Sequence, residues 1–202
     1  MGGSSIMNTT SQTREPSAAE QVKEIAERQI EAIRLLLCPT EEDVELTRGK
    51  DGEFSLDIDC DIEHEISADD VADHTDEDGE LDLEDLVSEH WDKIREQAYE
   101  RFCEHGLSFD YYVRQDEDGE DCEEESHWTY LISTGGPGTE IRFFAGQDLA
   151  LTRAEFWFLP WFDGASTNVT KDPTVQALWE QFTETETARV AREKADAEFD
   201  NY

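Results

Sequence analysis

The sequence predicts an α+β protein in which an antiparallel β meander of about four strands packs with two or three helices. Two segments, 17–37 and 81–104, repeat apolar residues at the spacing of amphipathic helices. Between residues 107 and 159 the apolar residues come instead in short aromatic runs bounded by turn residues, a pattern that favours strands. Together these observations predict the α+β class.

The first helix has clear start and stop signals. Ser17 can cap it, and Glu20 follows three residues later, which is the spacing of a capping box. Pro39 should end the helix, because proline has no amide hydrogen and clashes with the preceding turn. The stripe along one face consists of Val22, Ile25, Ala26, Gln29, Ile30, Ile33 and Leu37.

Residues 41–90 form a highly acidic segment, with 22 acidic and two basic side chains. Within it, Phe54–Asp59 alternates apolar and polar residues as a half-buried strand does, and residues 67–80 are expected to form an acidic loop or short helix. A second helix is predicted over 81–104, and Gly106 stands where a glycine cap would end it. Its buried stripe comprises Leu83, Leu86, Val87, Trp91, Ile94, Ala98 and Phe102.

The meander occupies the second half of the chain. Its predicted strands are Leu107–Val113, Trp128–Ser133, Glu140–Phe144 and Leu151–Leu159. The glycine-rich stretch 133–139 is the expected turn between two of them. Residues 126–170 hold four acidic and two basic side chains, whereas 116–125 hold eight acidic and no basic ones. We therefore expect a nearly neutral aromatic sheet with acidic segments beside it.

A single acidic domain is expected at residues 17–183. Residues 1–16 are polar and predict a disordered leader. Asp172 is positioned to cap a last helix, and Pro173 takes the first helical position. Beyond Thr183 the sequence becomes polar, so residues 184–202 are expected to form a helical tail that projects or frays.

Charge restricts the classes of partner. The chain has 52 acidic and 16 basic residues, a formal net charge of −36. Phosphate backbones and anionic membranes would be repelled, which argues against direct binding of nucleic acid or membrane. A basic protein surface, cations or a high-salt solvent remain compatible with this charge.

The sequence also predicts a cytoplasmic location. No apolar run reaches the length of a membrane helix, and the first residues lack the features of a signal peptide. The four widely spaced cysteines are typical of free thiols in a reducing compartment. They are Cys38, Cys60, Cys103 and Cys122.

The acidic loops match a calcium-binding EF-hand only in part. With Gly79 at the sixth position of that loop, His74 would be first and Asp85 twelfth, where the motif requires Asp and Glu. With Gly119 at that position, Arg114 would be first. A specific calcium site is therefore not predicted.

Other catalytic and cofactor signatures fail in the same way. The pairs Cys103–His105 and Cys122–His127 lack zinc-finger spacing. The glycine-rich stretch 133–138 has neither the lysine nor the following helix of a phosphate-binding loop. No Gly-x-Ser-x-Gly arrangement is present. We expect a non-enzymatic protein without a cofactor.

The aromatic sheet raises the question of what covers its second face. Phe156, Trp157, Phe158 and Leu159 are consecutive, and successive strand residues point to opposite faces. Both faces must therefore be at least partly covered. The helices, a second copy of the chain or a partner could cover the second face, so a homodimer is a reasonable hypothesis.

The clustering of acid favours mimicry of nucleic acid. Duplex DNA carries about one negative charge per 1.7 Å of axis, and a protein with grouped carboxylates could occupy the basic groove of a nuclease, repressor or restriction complex. The alternatives are adaptation to high salt, which would spread acid over the whole surface, and a small enzyme or an acidic chaperone of basic proteins. The residues expected to contact a basic partner are Asp69, Asp70, Asp73, Asp76, Glu77, Asp78, Glu84, Asp85, Asp116, Glu117, Asp118, Asp121, Glu123, Glu124 and Glu125.

One stretch resembles a known group of proteins. Ser133-Thr-Gly-Gly-Pro-Gly138, followed by Ala154-Glu-Phe-Trp-Phe-Leu-Pro-Trp161, is similar to short STGGP-containing proteins of phages and plasmids. The likeness is limited to about residues 128–161. It implies a mobile-element setting, in which proteins of the anti-defence type disarm restriction or CRISPR systems, and it assigns no functional residue.

Overall fold

The computed structural model describes residues 17–50, 52–60, 62–113, 125–161 and 164–199. Within these ranges the chain has the predicted α+β class, with helices and two antiparallel sheets. The helices are α1 (Ala18–Leu37), α2 (Ala68–Asp73), α3 (Leu83–Glu104), α4 (Pro173–Glu184) and α5 (Thr187–Phe199), with a 3-10 turn at Glu41–Asp43.

Helix α1 begins and ends where the sequence predicts. Its capping box forms, with the Glu20 carboxylate accepting hydrogen bonds from the Ser17 amide (2.7 Å) and hydroxyl (2.9 Å). It ends at Leu37, one residue before the cap Cys38. Near that end, Arg34 forms an ion pair with Asp43 at 2.6 Å, and the hydrogen bond lowers the Asp43 pKa to about 2.

The acidic segment forms a three-stranded sheet where only one strand was predicted. Its strands, in spatial order, are β1 (Glu45–Arg48), β2 (Phe54–Ile58) and β3 (Ile62–Ile66). The predicted strand is confirmed as the central one, ending one residue early. In β3, Ile62, His64 and Ile66 are buried and the glutamates between them are exposed, so one face packs inward and the other faces solvent.

The aromatic sheet has one strand more than the sequence predicts. It is a meander of β4 (Ser108–Tyr112), β5 (His127–Ser133), β6 (Gly138–Ala145), β7 (Leu151–Leu159) and β8 (Ala165–Asn168). The four predicted strands and the glycine-rich turn after Ser133 are confirmed. On the inner face, Trp128, Phe143 and Phe156 are almost wholly buried, and the Trp179 ring of α4 lies 5.2 Å from each of the Trp128 and Phe143 rings.

Gly106 ends α3 as predicted and also brings the end of this helix against β5 of the aromatic sheet. Its φ of +80° lies in the left-handed region, and a Cβ there would approach the Tyr130 ring to 2.6 Å. The Tyr130 hydroxyl donates to the His105 carbonyl at 2.8 Å and lies 2.7 Å from Nδ1 of the same histidine. The chain therefore turns tightly against β5 as it leaves the helix.

The C-terminal helices differ in part from expectation. Asp172 caps α4 by accepting from the Thr174 amide at 2.9 Å, and Pro173 opens the helix as predicted. The following segment is helical, but the expectation that it projects is wrong for its first turns. Ala188 is fully buried, and its carbonyl accepts a hydrogen bond from the Trp128 indole at 2.8 Å. A small residue at this position lets α5 pack closely on the aromatic core.

The two sheets share one core. Helix α1 packs on β7 and β8 and also on α3, while α3 packs on β3. A single cluster of buried apolar residues runs from the small sheet through these helices to the aromatic sheet. We call residues 41–104, which include β1–β3, α2 and α3, the acidic module.

Candidate acidic interface

The first group of predicted contact residues lies on α2. The carboxylate of Asp70 accepts hydrogen bonds from the Ser67 amide (2.9 Å) and hydroxyl (2.7 Å), which close the capping box of this short helix. These hydrogen bonds lower the pKa of Asp70. Asp70 therefore stabilises the helix start, whereas Asp69 and Asp73 are exposed and available to a partner.

The second group lies in the loop between α2 and α3. Oδ1 of Asp76 accepts from the amides of Asp78 (2.9 Å) and Glu80 (2.8 Å), so this carboxylate shapes the turn. The side chains of Glu77 and Asp78 are exposed at the tip of the loop. The loop presents carboxylates on a defined backbone.

The third group opens α3. Asp82 caps the helix by accepting from the Asp85 amide at 3.1 Å, and the exposed Glu84 and Asp85 follow in the first turn, where the helix dipole favours negative charge. Nε2 of His74 lies 3.7 Å from Asp85 and 3.4 Å from Glu89. The pKa of His74 is raised, chiefly by its hydrogen bond to the Asp70 carbonyl and then by these carboxylates.

The predicted contact residues therefore fall into two places. The eight between Asp69 and Asp85 all lie in the acidic module. Glu125 lies instead beside the aromatic sheet, where it pairs with Arg153 at 2.9 Å. Asp116, Glu117, Asp118, Asp121, Glu123 and Glu124 lie outside the described residues, and their role remains a prediction.

Sequence reasoning missed the acidic face of the small sheet. Glu45 is directly opposite Asp57 across β1 and β2, and Asp57 is directly opposite Glu63 across β2 and β3. Three carboxylates thus form one row across the sheet, which we call the carboxylate ladder. Among the described residues, no ion pair links any of the three to a basic side chain. Like charges at directly opposite positions destabilise a sheet.

The ladder continues into a wider acidic surface. On one side lies a cleft of about 550 Å³. On the other side, Glu63 also lines a groove of about 330 Å³ between β3 and the second half of α3, together with Glu100 and Glu104. The basic Arg101 lines the same groove and pairs with Glu104 at 3.3 Å. We call this continuous surface the acidic belt. Its carboxylates are Asp43, Glu45, Asp57, Asp59, Glu63, Glu100 and Glu104.

The outer surface of α3 extends the charge further. Helix α3 has 22 residues and is therefore about 33 Å long. Its exposed carboxylates recur every three or four residues after the first turn. They are Glu84, Asp85, Glu89, Asp92, Glu96, Glu100 and Glu104. Over residues 41–104, 21 of the 24 described carboxylates are exposed, against five basic side chains in all.

The outer face of the aromatic sheet has a different character. Arg142 lies over the Trp157 ring, 4.1 Å from its centroid, and forms an ion pair with Glu140. Arg153 lies over the Phe144 ring at 3.8 Å and pairs with Glu155 at 3.0 Å. The expectation that this face is partly covered is met by these stacked arginines. The homodimer remains a hypothesis.

Three further features concern metal ligands, cysteines and membrane-spanning helices. Among the described residues, no group of three or more histidine, cysteine or acidic side chains is arranged to hold a metal ion. Among the described residues, no disulfide joins Cys38, Cys60 or Cys103, while Cys122 lies outside the described residues. In the described part of the chain, no helix combines the length and apolar character needed to span a membrane.

No protein-family model, curated protein or solved structure matches this chain.

Proposed function

We propose that this protein is a non-enzymatic DNA mimic, which uses its acidic module to occupy the nucleic-acid-binding groove of a basic protein. A defence complex of the CRISPR or restriction type is the proposed target, and the cytoplasm of a host cell is the proposed location. The target class rests on the resemblance of residues 128–161 to proteins of phages and plasmids. The mimicry rests on the arrangement of charge.

The observation that carries the proposal is the carboxylate ladder of Glu45, Asp57 and Glu63. Opposed like charges cost stability, and a polar uncharged residue would serve the exposed positions of Glu45 and Glu63 equally well. Asp57 between them is half-buried and accepts a hydrogen bond from the Thr47 hydroxyl at 2.7 Å. A basic partner would turn this unfavourable repulsion into favourable attraction. The ladder is therefore better explained by binding than by folding.

The dimensions of the module are compatible with a duplex. Helix α3, at about 33 Å, is close to the 34–36 Å of one DNA turn. Its seven exposed carboxylates are accompanied by the exposed Lys93, Arg95 and Arg101, so the helix has a net charge of −4. This is about one charge per 8 Å, roughly a fifth of the duplex density. The small sheet and α2 supply the further carboxylates that such density requires. Attraction of this kind speeds association and weakens as salt rises.

The test compares three groups of neutralising substitutions with equal change of charge. The belt variant is Glu45→Gln, Glu63→Gln and Glu100→Gln, and the loop variant is Asp69→Asn, Asp73→Asn and Glu77→Gln. The control variant is Glu180→Gln, Glu184→Gln and Asp196→Asn, which are exposed on α4 and α5.

Each protein would be immobilised and used to capture partners from a bacterial lysate at low salt, with mass spectrometry as the readout. We expect the wild type and the control to retain nucleic-acid-binding proteins that added duplex DNA displaces, and the belt variant to lose most of them. Equal retention by the belt and control variants, or capture that DNA does not displace, would contradict the proposal. The loop variant shows whether the predicted contact residues share the interface.

A further inference from the structure

A pair of buried histidines joins the acidic module internally. His64 lies on the inward face of β3 and His90 on α3, and each is 9% exposed. Nε2 of His64 is 3.1 Å from Nδ1 of His90, and the ring centroids are 5.1 Å apart. This hydrogen bond joins α3 to β3 across a seam between two elements whose other buried residues are apolar.

The pair can hold its hydrogen bond only with one proton between the two facing nitrogens. If both nitrogens carried a proton, two donors would face each other at 3.1 Å. Nε2 of His90 is also buried and has no hydrogen-bond partner in the described part of the chain. One added proton can go to an outer ring nitrogen and leave the hydrogen bond between the rings in place, so its cost is that of an imidazolium charge buried beside the unpartnered Nε2 of His90. A second added proton would also set the two donors against each other.

The neighbouring elements offer little compensation for that charge. Burial is the main cause that lowers the pKa of His64, followed by repulsion from His90 and from Lys93 on α3. From α2, the Asp70 carboxylate attracts a protonated His90 or His74, but these attractions lower the pKa of Asp70 less than its hydrogen bonds with Ser67 do. Across the sheet, the residue opposite His64 is the apolar Leu56, and the buried side chains of α1 are all apolar.

We infer that the His64–His90 pair is a pH-sensitive joint, which holds α3 on β3 while both rings are neutral and loosens this contact when the pair gains a proton. The unfolded chain takes up the proton near pH 6.5, the ordinary pKa of histidine. Because burial lowers the pKa of His64 in the folded chain, the stabilisation is complete above about pH 6.5. It is lost as the pH falls below that value, by up to about tenfold per pH unit for each proton.

This inference does not depend on the proposed function, although both involve strand β3. Ile62 and Glu63, which line the groove of the acidic belt, lie next to His64 on β3. Loosening of β3 from α3 would change the spacing of Glu63 from Glu100 and Glu104. Acid would thus alter the belt without titrating its carboxylates.

The test is amide hydrogen exchange on the full chain at pH 7.5 and 5.5, corrected for the intrinsic pH dependence of exchange. We expect the protection of residues 62–66 and 86–94 to fall about tenfold at the lower pH, while β6 in the aromatic sheet changes by less than about twofold. An unchanged seam, or an equal loss of protection in β6, would overturn the inference. Because this readout needs no partner, its failure is separate from failure of the proposed function.

Two variants assign the effect to the pair. The double variant His64→Leu with His90→Phe removes both titrating rings and should keep the same protection at both pH values. His127→Gln removes a histidine whose pKa is also lowered by burial, but on the aromatic sheet, and should lose seam protection as the wild type does. A double variant that still loses protection would contradict the inference.

If the double variant does not fold, NMR titration of the wild type decides the question. We expect protonation of His64 and the loss of α3 and β3 amide signals to share one midpoint below pH 6.5. Protonation of His64 with undisturbed α3 amides would overturn the inference.

Discussion

The two sheets of this molecule pack one face on helices in the same way but use their outer faces in opposite ways. On the aromatic sheet, Glu140 pairs with Arg142 and Glu155 with Arg153, and both arginines lie over aromatic rings. On the small sheet, the carboxylate ladder has no basic partner among the described residues. One sheet pairs its carboxylates with arginines, whereas the other leaves Glu45 and Glu63 exposed and Asp57 half-buried.

Exposed acid is concentrated in the acidic module but also occurs elsewhere: the remaining described residues hold twelve exposed carboxylates, mainly on α1, α4 and α5. A protein adapted only to concentrated salt would need carboxylates over its whole surface, including the face that Arg142 and Arg153 occupy. The concentration of 21 exposed carboxylates within residues 41–104 favours a localised interaction surface over solvent adaptation. The comparison can be tested by substitutions in the core of the aromatic sheet, at the contact between α3 and β5, and in the carboxylate ladder.

The largest effect on the free energy of unfolding is expected from a substitution in the core of the aromatic sheet. Trp128→Ala removes a fully buried ring, its contact with Trp179 and its hydrogen bond to the Ala188 carbonyl. We expect a loss of about 3–5 kcal/mol in the free energy of unfolding, as for other buried aromatic residues. Urea unfolding followed by circular dichroism measures it, since urea adds no ionic screening.

The matched control is Trp161→Ala, because this ring is 76% exposed. Its free energy of unfolding should change by less than about 0.5 kcal/mol. Similar losses for the two variants would mean that the aromatic sheet is not the stabilising half of the molecule.

The elements predicted well from the sequence were those with strong local signals. Ser17 with Glu20, Asp172 with Pro173, and Gly106 each mark a helix end through a backbone hydrogen bond or a required φ angle. Strand β8 was missed because Ala165–Asn168 has no large apolar residue. It forms a strand because β7 offers it an unpaired edge, which is a tertiary cause.

The candidate site was harder to predict for the same reason. The predicted residues on α2 and its loop were found by counting charge, which cannot separate a capping carboxylate such as Asp70 from a free one such as Asp69. The carboxylate ladder depends on strand register, and residues 45, 57 and 63 are not adjacent in sequence. Strand β3 had a usable signal, however, because Ile62, His64 and Ile66 alternate with glutamates.

The next effect concerns the contact between the end of α3, at Gly106, and Tyr130 on β5. Gly106→Ala combines a strained φ of +80° with a clash against Tyr130, whereas Gly79→Ala has a similar φ of +83° and open space around its Cβ. We expect a loss of about 1 kcal/mol for Gly79→Ala and about 2–4 kcal/mol for Gly106→Ala. The difference, measured by urea unfolding, isolates the contact of α3 with β5. Equal losses would show that the Tyr130 ring moves aside freely.

The smallest effect tests the comparison most directly, because one kind of substitution should act in opposite directions on the two sheets. Glu140→Gln weakens a pair in which the glutamate is only 8% exposed, so it should cost about 1–3 kcal/mol. Glu63→Gln relieves repulsion in the ladder and should stabilise the chain by about 0.2–1 kcal/mol.

The salt dependence of these changes in unfolding free energy distinguishes relief of charge repulsion from a general effect of glutamine. The gain from Glu63→Gln should shrink as the salt concentration rises to about 1 M, where the screening length falls to roughly 3 Å, while the loss from Glu140→Gln should persist because that pair is largely shielded from solvent. Urea unfolding at several salt concentrations provides both slopes. Destabilisation by Glu63→Gln at low salt would mean that the ladder contributes favourably to folding, and the case for its retention by a partner would then lose its physical basis.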